Sequence, residues 1–150
     1  LKAFEESTGI FRSWVQDNHS RSAEGVLRGL HFQRPHAQGK LVRCTSGSIF
    51  DVAVDVRRSA DSFLQWVGCI LTAENHKQLW IPEGFAHGFL VTSTSADVQY
   101  KTTEYYSPES DAGIRWDDPT VGIDWPIDRE PILSEKDLNL PLAESAELFV

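Results

Sequence analysis

Three short segments of the sequence concentrate side chains that bind anions or move protons. The first combines a guanidinium, an imidazole and an ammonium group in Arg28, His31 and Lys40. An Arg fork and a compact Lys cation suit a phosphate or an oxyanion, and an imidazole exchanges protons near neutral pH. The other two segments, at 82–89 and 100–106, supply His87, Tyr100 and Tyr106.

The spacing of Pro82, Gly84 and His87 resembles the second motif of metal-binding cupins. Such a site also needs a His-x-His pair and a Glu from an earlier strand, which complete three or four ligands. The sequence contains no such pair, and no Glu occurs between Glu24 and Glu74. We therefore expect no metal centre and no cofactor at this motif.

The charge of the chain argues against general nucleic-acid binding. The formal net charge is -8 at pH 7, the opposite sign to the surface that such proteins present. The segment 12–43 departs from this average, because it holds six basic residues against two acidic ones. A few Arg and Lys side chains in that segment could hold a small anionic ligand without a basic surface overall.

The elements that would position these residues are predicted to be β-strands. Residues 48–56 alternate in polarity with a period of two, which is typical of a strand. Such short strands, separated by turn residues, predict an all-β sandwich or barrel. Short flanking helices are predicted at 2–7 and after Ser134, which opens a capping box. Further strands are predicted at 63–71, 79–81, 88–92 and 98–103.

The length and the missing signals bound the organisation of the chain. No linker or repeat divides the 150 residues, which predicts a single domain over 1–150. The chain begins at Leu1 and contains no Met, so we expect that a natural N-terminal segment is missing. It has no apolar run of about 18 residues and no signal peptide, which predicts a cytoplasmic protein without a membrane partner.

Seven strings of the sequence together resemble the dTDP-4-dehydrorhamnose 3,5-epimerase family, in register and over roughly residues 14–142. They are Gln-Asp-Asn-His-Ser at 16–20, Gly-Leu-His-Phe-Gln at 29–33, Gly-Lys-Leu-Val-Arg at 39–43, Phe-Asp-Val-Ala-Val-Asp at 50–55, Ile-Pro-Glu-Gly-Phe-Ala-His-Gly-Phe at 81–89, Tyr-Lys-Thr-Thr at 100–103 and Asp-Trp-Pro at 124–126. The resemblance implies a jelly-roll cupin that works without metal or cofactor and forms a homodimer. It implies dTDP-4-keto-6-deoxy-D-glucose as the substrate, in the synthesis of dTDP-L-rhamnose.

The resemblance also implies a separate role for each catalytic candidate. His31 matches the base that removes the protons on C3 and C5, and Asp137 matches the residue that orients this imidazole. Lys40 would stabilise the enolate on O4, and Tyr100 matches the proton donor. The implied substrate-binding residues are Arg28 for the diphosphate, Gln16 and Asn18 for the nucleotide or sugar, His87 for the sugar, and Tyr106, Asp111 and Lys136 around the pocket.

Other functions stay open at the level of sequence. Related cupins epimerise only one carbon, and 3,4-ketoisomerases move the carbonyl instead. A non-catalytic module that binds sugar nucleotides is a further alternative, although it would have no need of both a base and an acid. The family's N-terminal strand lies before residue 1, and its absence would weaken nucleotide binding and the dimer.

Overall fold

The computed structural model of the protein describes residues 2–150, and antiparallel β-strands dominate this range. Two short α-helices and a single 3₁₀ turn lie outside the sheets of the described chain. In chain order the elements are α1 (Lys2–Thr8), β1 (Gln16–Ala23), β2 (Leu27–Gln33), β3 (Lys40–Ser46), β4 (Ser48–Asp55), β5 (Trp66–Thr72), β6 (Gln78–Ile81), β7 (Phe85–Val91), β8 (Ser95–Thr102), the 3₁₀ turn (Pro108–Ser110), β9 (Asp111–Gly113) and α2 (Glu135–Leu138).

The first sheet has four strands in the order β1-β8-β3-β6. In its middle, β3 and β8 pair so that Val42 lies opposite Tyr100 and Cys44 opposite Val98. Strand β1 forms one edge and is rich in Asp, Asn and Ser, which have low strand propensity. Its strand form therefore depends on continuous pairing with β8 along its whole length.

The second sheet has five strands in the order β5-β4-β7-β2-β9. Strand β4 is paired on both sides, with β5 and with β7, and its second half is buried without interruption. Burial on both faces explains why β7 reads as a nearly continuous apolar run, whereas β4 is interrupted by the buried acids Asp51 and Asp55. The next strand, β2, carries a register shift that bears on the candidate site.

Two hydrophobic clusters hold the sheets in place. One lies between the sheets and joins Val42 and Val98 of the first to Ile49 and Val91 of the second. The other covers the opposite face of the five-stranded sheet with the C-terminal part of the chain. Its members there include Ile114, Val121, Trp125, Ala143 and Leu148, packed on Leu27, Leu30, Val52 and Val54.

The predicted all-β architecture and both short flanking helices are confirmed, and three predicted strand starts are wrong. The strand predicted at 63–71 begins only at Trp66, because turn hydrogen bonds such as Gln65 N–H to Ser62 O occupy the residues before it. The strands predicted at 88–92 and 98–103 begin earlier, at Phe85 and Ser95.

The helices in the described range are too short to cross a bilayer: α1, the longer, has seven residues, and no helix within 2–150 meets the length and hydropathy of a membrane span. The predicted cytoplasmic location, single domain and missing N-terminal segment stay predictions.

Candidate active site

Four of the candidate residues share the inner face of the four-stranded sheet. Asn18 lies opposite Tyr100, and Tyr100 lies opposite Val42 of the inner core. Side chains alternate between the two faces of a sheet, so residues two apart face the same way. Gln16, two residues before Asn18, and Lys40, two before Val42, therefore join Tyr100 on this face.

A bulge in β2 brings Arg28 and His31 to one face of the other sheet. Strict alternation would place residues three apart on opposite faces. The register instead shifts between them, so that His31 lies opposite His87 of β7. Leu27 and Leu30 both belong to the outer cluster, which leaves Arg28 and His31 to the inner side. Bulges that re-aim side chains are frequent next to active sites.

His31 forms a close pair with Asp137, although 106 positions separate them. His31 Nε2 lies 2.5 Å from Asp137 Oδ1. Asp137 lies on α2, where the Ser134 hydroxyl donates to its Oδ2 at 2.7 Å and accepts from its backbone N–H. The Asp137 side chain is buried, whereas 29% of the His31 side chain is exposed. The imidazole is thus held on its Nε2 side by a buried carboxylate, and part of the ring remains accessible to solvent.

The surroundings of Asp137 determine which nitrogen of His31 carries a proton. Burial opposes ionisation of Asp137, but the hydrogen bond and charge of His31 outweigh it, with help from Ser134 and the Gly29 N–H. The pKa of the Asp137 carboxyl is therefore held below its ordinary value. An ionised carboxylate only accepts hydrogen bonds, so His31 carries its proton on Nε2 and keeps a lone pair on Nδ1.

Lys40 is a buried ammonium group with only 7% of its surface exposed. Burial lowers its pKa from 10.5 to about 8, against the opposing charges of Asp111 and Asp51, while Lys136 adds to the lowering. No carboxylate within residues 2–150 comes within ion-pair distance of its Nζ. Lys40 is therefore still mostly protonated at neutral pH and is available to an incoming anion.

Tyr100 carries a half-buried phenol that retains its proton at neutral pH. Burial raises its pKa above the ordinary value; Arg28 acts in the opposite direction and Asp111 in the same one. Its ring packs edge-on against His87, with the ring centroids 6.2 Å apart. The hydroxyl has no hydrogen-bond partner within 2–150, and it is not among the atoms sealed from solvent. It can thus donate to a bound molecule.

His87 has a partner that the sequence analysis missed. Its Nε2 lies 2.8 Å from Oδ1 of Asp51, a fully buried residue of β4. Burial lowers the pKa of His87, so the imidazole is neutral near pH 7. The available signal in the sequence is Asp51 itself, an acidic residue within an otherwise apolar strand. The alternation at 48–56 by itself predicts only a strand.

The residues predicted around the pocket form a connected chain of hydrogen bonds at its rim. Gln16 donates to Asn18 Oδ1 at 2.9 Å and accepts from the Tyr106 backbone N–H at 3.1 Å. The Tyr106 hydroxyl donates to Asp111 Oδ2 at 3.0 Å, and Lys136 Nζ donates to the same oxygen. The rim therefore connects β1 of one sheet to α2 beside the other.

Arg28 also lies on this inner surface, and its charged guanidinium is hydrogen-bonded to a neutral side chain. Its guanidinium donates to the Ser22 hydroxyl through Nε and Nη2, at 3.1 and 2.9 Å, and forms no ion pair within 2–150. A cavity of about 370 Å³ opens beside it, lined among others by His31, Lys136 and Asp137. A larger cavity of about 470 Å³ lies on the outer face of the four-stranded sheet, where Asp17, His19 and Arg43 line it.

Together these groups can remove a proton from carbon, stabilise the resulting oxyanion and return a proton. An oriented imidazole, a buried ammonium and a protonated phenol are the three parts that enolisation beside a carbonyl needs. All eleven candidate residues of the sequence analysis lie on the inner faces, on α2 or at this rim. Within residues 2–150 no three His, Cys, Asp or Glu side chains are placed to hold a metal ion.

Comparisons with known proteins point to one family. The family model described as dTDP-4-dehydrorhamnose 3,5-epimerase matches residues 1–145. A relative of that name from Escherichia coli (strain K12) is 62% identical over 139 residues, which cover 92% of this chain and 75% of the relative.

Solved structures agree with this match. An epimerase from Legionella pneumophila Philadelphia 1, in complex with dTDP-4-keto-L-rhamnose, has a TM-score of 0.92 and 53% identity over 96% of this chain and 77% of its own. A 3'-monoepimerase from Streptomyces bikiniensis, in complex with dTDP-quinovose, has a TM-score of 0.87 and 32% identity over 95% and 73%. The cupin-like fold implied by the resemblance is confirmed, and the chain belongs to the dTDP-4-dehydrorhamnose 3,5-epimerase family.

Proposed function

We propose that the protein converts dTDP-4-keto-6-deoxy-D-glucose into dTDP-4-keto-L-rhamnose by inverting C3 and C5. The observation that carries the proposal is the convergence of the His31–Asp137 pair, buried Lys40 and protonated Tyr100 on the inner surface of a chain of this family. The C4 ketone of the substrate makes the hydrogens on both neighbouring carbons acidic. One set of residues can therefore act at each carbon in turn.

Proton removal is assigned to His31. Its Nδ1 lone pair takes the proton from carbon, and the electron pair of the C–H bond forms the C=C bond of an enolate. The imidazolium that results lies against ionised Asp137 at 2.5 Å, which stabilises its new positive charge. The proton is released to solvent after each inversion, so that His31 is again a base before the second carbon reacts.

Lys40 and Tyr100 complete the reaction in this proposal. The carbonyl oxygen becomes negative as the enolate forms, and the Lys40 ammonium donates a hydrogen bond to it in a site where few other charges compete. Tyr100 then gives its proton to the opposite face of the carbon, the carbonyl is restored, and the phenolate recovers a proton from solvent.

Substrate binding is assigned to the remaining candidates. Arg28 lacks a carboxylate partner and would pair with the diphosphate through its fork. His87 would contact the sugar from the second sheet. The rim residues would hold the nucleotide and close the pocket; they are Gln16, Asn18, Tyr106, Asp111 and Lys136.

The test follows protons at the two carbons. The protein would be incubated with dTDP-4-keto-6-deoxy-D-glucose in D2O, and C3 and C5 would be followed by NMR. We expect deuterium at both carbons and the signals of dTDP-4-keto-L-rhamnose. Absence of exchange with the folded protein would reject the proposal in favour of a binding module.

A second candidate is epimerisation at one carbon only, which the similarity to a 3'-monoepimerase favours. The same experiment separates the two activities. Deuterium at C3 alone, with the carbonyl still at C4, would identify a monoepimerase. A carbonyl that moves to C3 would identify a ketoisomerase.

The protein is further proposed to act as a homodimer. β1 is an edge strand of the first sheet, and Phe11, just before it, is 71% exposed. An edge strand beside an exposed aromatic side chain is a surface that a second copy can cover. Sedimentation equilibrium should give twice the mass of the chain; a monomer at micromolar concentration would contradict the assignment.

A further inference from the structure

Asp51 is a buried carboxylate to which the reaction above assigns no part. It has no exposed surface, and one oxygen, Oδ1, lies 2.8 Å from His87 Nε2. Its second oxygen, Oδ2, is buried without any hydrogen-bond partner in residues 2–150. An unpartnered oxygen of a buried carboxylate destabilises the folded state, so packing alone does not explain an acid here.

Two functional side chains from two different strands experience the charge of Asp51. On β7, His87 is its hydrogen-bond partner and is also influenced by Lys40 and His31. On β3, Lys40 is influenced by Asp51, by Asp111 and, with opposite sign, by Lys136. Asp51 lies opposite Phe89 of the inner cluster and therefore faces the same inner side of the sheet as His87.

The chemistry of a carboxylate determines what His87 can offer. An ionised carboxylate only accepts, so its contact with Nε2 requires the His87 proton to be on that nitrogen. Nδ1 then holds a lone pair; it has no partner within 2–150 and is not among the atoms sealed from solvent. In this tautomer His87 accepts a hydrogen bond and suits a sugar hydroxyl rather than an oxyanion.

We propose that Asp51 is a positioning residue, which presents His87 Nδ1 as an acceptor to a substrate hydroxyl and supplies the buried counter-charge that keeps Lys40 protonated. The inference rests on the proposed function, since it concerns the tautomer of His87 and the charge of Lys40, two residues of that site. It predicts an effect on the reaction that exceeds any effect on the fold.

The first test compares two buried acids of the same strand. Asp51→Asn retains the shape and removes the charge; Asp55→Asn does the same to a carboxylate that pairs with Arg57 and Ser62, away from the site. We expect Asp51→Asn to lower kcat about 10- to 100-fold, the usual loss when the partner of a functional imidazole is removed. The basic limb of its pH profile should move to lower pH, because Lys40 loses a stabilising negative charge.

The control variant Asp55→Asn separates an effect on the reaction from an effect on the fold. Asp55→Asn should lower the melting temperature and leave the basic limb unchanged, whereas Asp51→Asn should melt no lower than the wild type. If Asp51→Asn retains the wild-type kcat and limb, the inference is overturned. A loss of stability in Asp51→Asn with an unshifted limb would equally overturn it, because that is the result of a structural role.

A second measurement needs no variant of Asp51. ¹⁵N NMR of the imidazole rings of the wild type, with His87 assigned by comparison with His87→Gln, reports which nitrogen is protonated. We expect the Nε2–H tautomer at pH 7; an Nδ1–H tautomer or an imidazolium would overturn the inference. An inactive wild type would reject the proposed function alone, because this spectrum would still report on Asp51 and His87.

Discussion

His31 and Tyr100 lie on two different sheets, and the separate tasks proposed for them predict different failures. His31→Ala should abolish both deuterium exchange and product, a loss in kcat on the order of 10²–10⁴-fold for a general base, with an unchanged circular dichroism spectrum. Tyr100→Phe retains the ring against His87 and should lower product formation more than exchange. Near-full turnover of His31→Ala, or equal losses in Tyr100→Phe, would reject these roles.

Lys40 links activity and stability in opposite directions. Activity should fall as pH rises through about 8, since the ammonium proposed to stabilise the enolate loses its proton there. The unfolded chain holds this proton up to about 10.5, so between the two values the unfolded state binds more protons and stability rises with pH. Below pH 8, burial of the charged ammonium lowers the free energy of unfolding by about 3 kcal/mol, which is the energy equivalent of the fall in pKa from 10.5 to about 8.

The variant Lys40→Met separates these two effects. It should lose turnover and, at pH 7, melt no lower than the wild type, because the buried charge has been removed. Calorimetry and the epimerase assay on the same sample check both halves. A variant that loses activity and also melts well below the wild type would show that Lys40 is mainly structural.

At the scale of elements, the bulge in β2 is the feature that assembles the site. Gly29 occupies it with φ +122°, and an added Cβ would lie 2.6 Å from Gly88 Cα and 2.7 Å from His87 O. Gly29→Ala should therefore lower the free energy of unfolding by at least about 2–3 kcal/mol.

Gly9 offers a matched control for this prediction. It also has positive φ, at +69°, but nothing lies within 4 Å of an added Cβ. Gly9→Ala should cost only about 1 kcal/mol, the penalty of the left-handed conformation itself. Denaturant unfolding of both variants measures the difference, and equal losses would mean that the close contact with β7 is of no consequence.

The same elements show what sequence could and could not predict. The alternation at 48–56 predicts β4 to within one residue, because Asp51 and Asp55 stand between apolar residues with the period of a strand, although both acids are buried. No such signal marked β1, whose side chains are polar, or β2, whose bulge breaks the period. The pairing of His31 with Asp137 across 106 positions came only from the family resemblance, and Asp51 was missed.

At the scale of the whole molecule, a chain with net charge -8 must bind a negatively charged nucleotide sugar. It can do so because Arg28 and Lys40 on the inner surface form no ion pair within residues 2–150, so both charges are available to the ligand although Asp51, Asp111 and Asp137 lie nearby. We expect dTDP to stabilise the fold by about 2.7 kcal/mol at a hundred times its Kd, by mass action.

Arg28 gives this stabilisation a specific origin. Arg28→Gln should lose most of the thermal shift produced by dTDP while melting like the wild type without it, since within residues 2–150 the Arg28 guanidinium bonds to the Ser22 hydroxyl alone. Differential scanning fluorimetry measures the thermal shifts that dTDP and thymidine produce, and the difference between them gives the contribution of the diphosphate. An undiminished shift in Arg28→Gln would remove this residue from the diphosphate site.

The placement of Asp137 on α2 has a consequence during synthesis. The strands that carry His31, Lys40 and Tyr100 leave the ribosome before α2 does. The His31–Asp137 pair can therefore form only after every strand of both sheets has been translated. We expect a chain that stops before α2 to have no oriented imidazole and no epimerase activity.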